Sequence, residues 1–203
     1  RSEMCIRDSG KDIDEVERGH FESMSQIADD AYEIVETLYG TELKVPYVVL
    51  GHSMGSIIAR LFVMRYPEFA DGLILTGTGM FPKWKGVPAT FALKLITMIL
   101  GKRRRVNWVN KLVNKSFNKR ISNPLTESDW ISTRRDEVEK FVKDEYCGFK
   151  VSNQLIYQTV KFMMLTIEPK CLDKLNKQLP ILLISGKEDP FGDYGKGIKQ
   201  LGK

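Results

Sequence analysis

The stretch Val45-Pro46-Tyr47-Val48-Val49-Leu50-Gly51-His52-Ser53-Met54-Gly55 decides how this chain folds. An apolar, β-branched run enters G-x-S-x-G, and Ser56 to Tyr66 can form a helix until Pro67 stops it. Between a strand and a helix, such a serine sits at the apex of a sharp, strained turn with Oγ exposed above the sheet. Gly51 and Gly55 flank it because a Cβ at either position would collide with the neighbouring strand or helix. The N–H of Met54, at the start of the helix, is placed to hold a developing oxyanion. Ser53 is the candidate nucleophile; a tight turn carrying an inert serine is the alternative.

Further elements lie on both sides of the turn. Upstream, Phe21, Met24, Ile27, Ala28, Ala31, Ile34, Val35 and Leu38 recur at three- and four-residue steps, which predicts a helix over 13–39 that Gly40 ends. Downstream, Gly72-Leu73-Ile74-Leu75-Thr76 predicts a second strand and Pro180-Ile181-Leu182-Leu183-Ile184-Ser185-Gly186 a third. Helix, strand, turn, helix, strand is an α/β order and predicts a parallel sheet with helices packed on it. Asp189 comes just after the third strand, where a parallel sheet places functional groups, and is the candidate acid; Asp193 is held in reserve.

From Met80 to Gln178 the sequence turns mostly helical and rich in long side chains. Between Gly72 and Thr126 there is no acidic residue and there are eleven Lys or Arg, including Lys102-Arg103-Arg104-Arg105. Val109, Leu112, Val113 and Phe117 share one helical face among them. Residues 80–178 are therefore read as a helical cap or lid, with 10–79 and 179–203 as the α/β core. Arg1 to Ser9 do not fit the rest of the chain and are read as a non-native or disordered leader.

At 42% hydrophobic and 28% charged, with a net charge of +5, the composition is that of a globular domain. Cys5, Cys147 and Cys171 form no C-x-x-C pair, which leaves no zinc site and no disulfide framework and points to a reducing cytoplasm. No metal or cofactor is expected. There is no signal peptide, and the longest apolar stretch, Val87 to Leu100, is interrupted by Lys94 and too short to span a bilayer. The Lys102–Arg105 cluster is too short and too isolated for nucleic-acid binding. Gly192-Asp193-Tyr194-Gly195-Lys196-Gly197 lacks phosphate-loop spacing. The basic cap is read either as a solvated outer face or as a surface for peripheral contact with an anionic membrane.

These residues resemble the α/β-hydrolase fold. Gly51-His52-Ser53-Met54-Gly55-Ser56 with Ala59-Arg60, then Leu73 to Gly79, Cys147-Gly148-Phe149, Leu179 to Gly186 and Asp189 to Gly197, are similar to bacterial lysophospholipase-like and monoacylglycerol-lipase-like hydrolases of the serine aminopeptidase (S33) type. The resemblance implies a carboxylic ester hydrolase of lipid-like substrates. Its triad runs Ser, Asp, His along the chain, with Ser53 as nucleophile and Asp189 as acid. It also implies a histidine after Asp189 and an oxyanion loop before the first strand. Fourteen residues come after Asp189 and none is His, while His20 and His52 both precede or lie within the elbow. The expectation is therefore an internal fragment of a longer protein, inactive or nearly so by itself. A non-catalytic relative with a binding or regulatory role is the alternative.

Overall fold

The structure, a computed structural model, describes residues 18–39 and 45–203. The leader 1–9, the predicted helical residues 13–17 and Gly40 lie outside the described residues. The elements, numbered within the described part, are α1 Met24–Tyr39, β1 Val48–His52, α2 Met54–Arg65, β2 Gly72–Thr76, α3 Lys83–Leu100 and α4 Asn107–Phe117. They continue as α5 Arg135–Lys143, α6 Asn153–Leu165, α7 Pro169–Leu172, β3 Ile181–Ile184 and α8 Lys196–Leu201.

The three predicted strands form one sheet, in the order β1-β2-β3, parallel throughout. Val48 pairs with Gly72 and His52 with Thr76, while Leu73 pairs with Ile181 and Thr76 with Ile184, so all three strands end at the same edge. β2 lies between the other two, and its Leu73 and Leu75 are each 2% exposed. Helix α2 packs against β1 and β2 and buries Ile57, Ile58, Phe62 and Val63. Burying one such side chain stabilises the fold by about 1.5–3 kcal/mol, so α2 is fixed by packing rather than by helix propensity.

Aromatic and charged groups tie α1 to α2. Tyr32 stacks on Tyr66 at 4.0 Å, with Phe69 edge-on to Tyr32. Arg65 donates two hydrogen bonds to the Asp29 carboxylate, at 2.6 and 2.8 Å, and the Tyr66 hydroxyl donates a third at 2.7 Å. The N-terminal half of α1 buries Met24, Ile27 and Ala28, whereas Ile34 and Leu38 on the same predicted stripe are exposed. Among the described residues the helix begins at Met24 rather than continuing from 18, because Gly19 takes φ +74° and the chain turns there.

The described chain divides into two compact units. One, the sheet unit, comprises Ser23–Thr90 and Gln158–Lys203; the other contains Phe91–Tyr157 together with residues 18–22. In the second unit, residues 18–22 are joined to the loop after α3 and to the start of α6. Ser152 N–H donates to the Gly19 carbonyl, Asn153 N–H to the Arg104 carbonyl and Gln154 N–H to the Lys102 carbonyl. In α4, Val109 is 2% exposed and Val113 half-buried, but Leu112 is 60% exposed and does not share their face.

Candidate active site

The predicted elbow is present. Ser53 joins β1 directly to α2 at φ 51°, ψ −122°, on the left-handed side of conformational space, which costs a non-glycine residue of order 1–3 kcal/mol. The ladder fixes it there, since Ser53 N–H donates to the Thr76 carbonyl at 3.0 Å. A Cβ on Gly51 would lie 2.5 Å from the Gly55 carbonyl oxygen and 2.7 Å from Ser56 Cα, both backbone atoms, so the strand can approach the helix only with glycine there. Ser53 is half-buried, and among the described residues its Oγ has no hydrogen-bond partner. Met54 is the first residue of α2, and its N–H is one of the amides that no carbonyl of the helix can accept.

Asp189 lies in the loop after β3, at the same sheet edge. Its Oδ1 accepts the Phe191 N–H at 2.9 Å and its Oδ2 the Ser185 hydroxyl at 3.3 Å, so the carboxylate is held by its own loop. Gly77, which comes after β2 and takes φ +51°, separates the ends of the outer strands. A Cβ there would meet His52 Cε1 at 3.0 Å and Asp189 Oδ2 at 3.6 Å. Two residues further, a Cβ on Gly79 would fall 2.0 Å from the Phe191 carbonyl oxygen. Two glycines therefore let the loop after β2 run between the elbow and the acid. Asp193 sits in a run of left-handed residues with Tyr194 and Gly195, and its backbone closes turns to Pro190 and Lys196.

Beneath the elbow is a polar group set, to which the sequence reading assigns no role, although its residues lie in the stretches that carry the resemblance. Ser56 and Thr78 are both fully buried; Ser56 Oγ lies 2.5 Å from the Ser53 carbonyl oxygen and 2.6 Å from Thr78 Oγ1. With one proton, Ser56 donates to that carbonyl and accepts from Thr78. One turn on, Arg60 is 3% exposed and donates from Nη2 to the Gly79 carbonyl at 3.3 Å, while its Nε and Nη1 have no partner among the described residues. Burial lowers its pKa to about 10. A buried cation without a carboxylate is a cost to folding. Arg60→Met is expected to raise the stability of this chain by about 1 kcal/mol or more, or about 2–4 °C in Tm per kcal/mol, in thermal denaturation. A lower Tm for the variant would show that the Gly79 contact outweighs the burial cost.

Comparison with known proteins places this geometry. A profile of the family described as serine aminopeptidase, S33, matches residues 9–202. The chain belongs to that family. It is similar in structure to a highly thermostable carboxyl esterase from Bacillus coagulans, with a TM-score of 0.76 and 29% identity over 90% of this chain and 59% of that one. It is similar also to a lipase in its open form, with a TM-score of 0.73 and 25% identity over 87% of this chain and 57% of that one. A soluble variant of the monoglyceride lipase of Saccharomyces cerevisiae shares the fold at 15% identity, with a TM-score of 0.64 over 92% of this chain and 58% of that one. No curated protein matches the chain. The fold is that of the α/β-hydrolases, and the chain spans less than two thirds of the length of these three structures.

The two histidines of this chain lie in different settings. His52 is exposed and its Nδ1 is 2.7 Å from Thr76 Oγ1, on the neighbouring strand. His20, in the second unit, is buried, with Nδ1 2.8 Å from Ser152 Oγ and Nε2 3.2 Å from a Glu22 carboxylate oxygen. That hydrogen bond, aided by Lys102, holds the Glu22 carboxyl below its ordinary range. Ser, His and Glu thus occur in sequence of contact, but Ser152 is fully buried and its Oγ accepts the Leu155 N–H at the start of α6, so it caps a helix. Among the described residues no group of three or more His, Cys, Asp or Glu could hold a metal ion.

Proposed function

We propose that Ser53 is the nucleophile of a carboxylic ester hydrolase, with Asp189 as the acid of its triad. The observation that carries the reading is the strained Ser53 at the strand–helix junction, with an acid at the end of the next strand but one across Gly77. A serine hydroxyl is protonated near neutral pH and needs a base. An imidazole delivered between Ser53 and Asp189 would take its proton during attack on the acyl carbonyl, and Asp189 would orient and stabilise the imidazolium. The Met54 N–H would hold the tetrahedral oxyanion, and water would release the acyl-enzyme.

The likeness to esterases and lipases supports an ester substrate, and the apolar, basic stretch between Gly72 and Thr126 supports a lipid-like one, a lysophospholipid or monoacylglycerol, met at an anionic lipid surface. A second reading, a non-catalytic relative, draws support from His52, whose ring is bonded to Thr76 and not to Ser53. A longer protein in which this chain is joined to a histidine-bearing segment separates the two. The extended protein is expected to release fatty acid from monoacylglycerol or lysophospholipid in a Ser53-dependent manner. A folded extended protein that hydrolyses no ester supports the second reading.

A further inference from the structure

We propose that the buried Ser56 and Thr78 are positioning residues for the oxyanion site, a hydroxyl relay that orients and polarises the peptide group carrying the Met54 N–H. The proposal rests on the reading of Ser53 as nucleophile and deepens it. The carbonyl of Ser53 and the N–H of Met54 belong to one planar amide and point in opposite directions. Whatever fixes that carbonyl therefore fixes the direction of the N–H that would meet an oxyanion.

Ser56 holds the carbonyl twice. Its N–H donates to the Ser53 oxygen at 2.9 Å, and its Oγ lies 2.5 Å from the same atom. A carbonyl has no proton to give, so the short contact is the Ser56 hydroxyl donating. Ser56 Oγ is then left as an acceptor, and Thr78 Oγ1 stands 2.6 Å from it. One order of protons satisfies both contacts: Thr78 donates to Ser56, and Ser56 donates to the carbonyl. Both residues are 0% exposed, so bulk water does not compete for these bonds. Hydrogen bonds in series polarise one another, and an amide whose carbonyl accepts strongly is a stronger donor at its N–H.

Thr78 is anchored from outside α2. Its neighbour Gly77 donates its N–H to the Ile184 carbonyl at 2.9 Å, and the Gly79 carbonyl accepts from Arg60 Nη2. The Thr78 carbonyl oxygen lies 3.2 Å from where a Gly192 Cβ would be, against the loop that carries Asp189. The relay thus runs from the loop beside the acid to the amide beside the nucleophile. Other buried hydroxyls of this chain are used differently. Thr97 and Thr166 donate to carbonyls four residues back in their own helices, Leu93 and Phe162.

The test compares Thr78→Val, which keeps the shape and removes the hydroxyl, with Thr78→Ser, which keeps the hydroxyl. In the 203-residue chain the Met54 amide resonance of a nitrogen–proton correlation spectrum is expected to move in Thr78→Val and farther in Ser56→Ala. It should stay near its parent position in Thr78→Ser and in Thr166→Val. In the protein joined to a histidine-bearing segment, Ser56→Ala is expected to lower kcat for p-nitrophenyl butyrate by about tenfold or more and Thr78→Val by about threefold. KM should stay within about twofold, because the N–H acts on charge that develops in the transition state. Thr78→Ser should keep about half of the parent kcat or more. An amide unmoved by Ser56→Ala and Thr78→Val, or moved as far by Thr78→Ser as by Thr78→Val, overturns the relay. So does a loss of kcat in Thr78→Val that Thr78→Ser shares. If Ser56→Ala does not fold, the two Thr78 variants decide. A longer protein that hydrolyses no ester defeats the hydrolase reading, and the amide measurement, which needs no turnover, still judges the relay.

Discussion

Gly51→Ala lowers the stability of the sheet unit by about 3 kcal/mol or more, or roughly 6–12 °C in Tm. The new methyl carbon would stand 2.5 Å from the Gly55 carbonyl oxygen and 2.7 Å from both Ser56 Cα and Ala59 Cβ. None of these atoms is the end of a flexible side chain. Relief requires α2 to move away from β1, which opens the packing of Ile57, Ile58 and Phe62. It also shifts Ser53, whose unusual backbone angles are held by its bond to Thr76. Gly186→Ala is the matched control, since its Cβ would meet nothing nearer than 3.8 Å and should change stability by no more than about 0.5 kcal/mol. Equal melting temperatures for Gly51→Ala and the parent would contradict this account of the elbow.

Ser53→Ala carries the second large effect, and its size depends on whether a base is present. In the protein extended to include a histidine, kcat/KM for p-nitrophenyl butyrate should fall by roughly 10⁴–10⁶-fold, because nucleophile, base and acid act as one unit. Asp189→Asn should cost about 10⁴-fold there, through loss of the imidazole's orientation. In the 203-residue chain the same Ser53→Ala should change nothing measurable, since no described group is bonded to Ser53 Oγ. A Ser53-dependent rate in the 203-residue chain would mean that His52 leaves Thr76 to serve as base.

Much of this arrangement is legible in the sequence, because the elbow writes its geometry into residue type. Gly51 and Ser53 lie where the strand-to-helix reading puts them, and Asp189 comes after the third strand as expected. The strand limits are less visible. The expected strand at 45–50 is observed at Val48–His52, because Gly51 and His52 continue the ladder opposite Leu75 and Thr76. Pairing of that kind is tertiary, and local periodicity does not report it. Among the described residues the first helix begins at Met24 and not at 18, where Gly19 takes φ +74° and Phe149, remote in sequence, packs within 2.7 Å of where its Cβ would be. Arg60, Ser56 and Thr78 are not marked as a site by any spacing rule, although Ser56 and Arg60, polar residues among the apolar ones that α2 buries, are the available signal. That Trp84, Phe91 and Met98 of α3 are exposed cannot be read from the sequence, since the periodic pattern is the same whether a face is buried or bare.

Labelling with a fluorophosphonate probe, with mass mapping of the adduct, tests the central assignment most directly. It compares the 203-residue chain, the histidine-bearing extension and the Ser53→Ala form of that extension. One adduct is expected, on Ser53 of the extension, absent from its Ser53→Ala form and from the shorter chain. An adduct that persists in Ser53→Ala, or a folded extension that takes up no probe, would contradict the assignment.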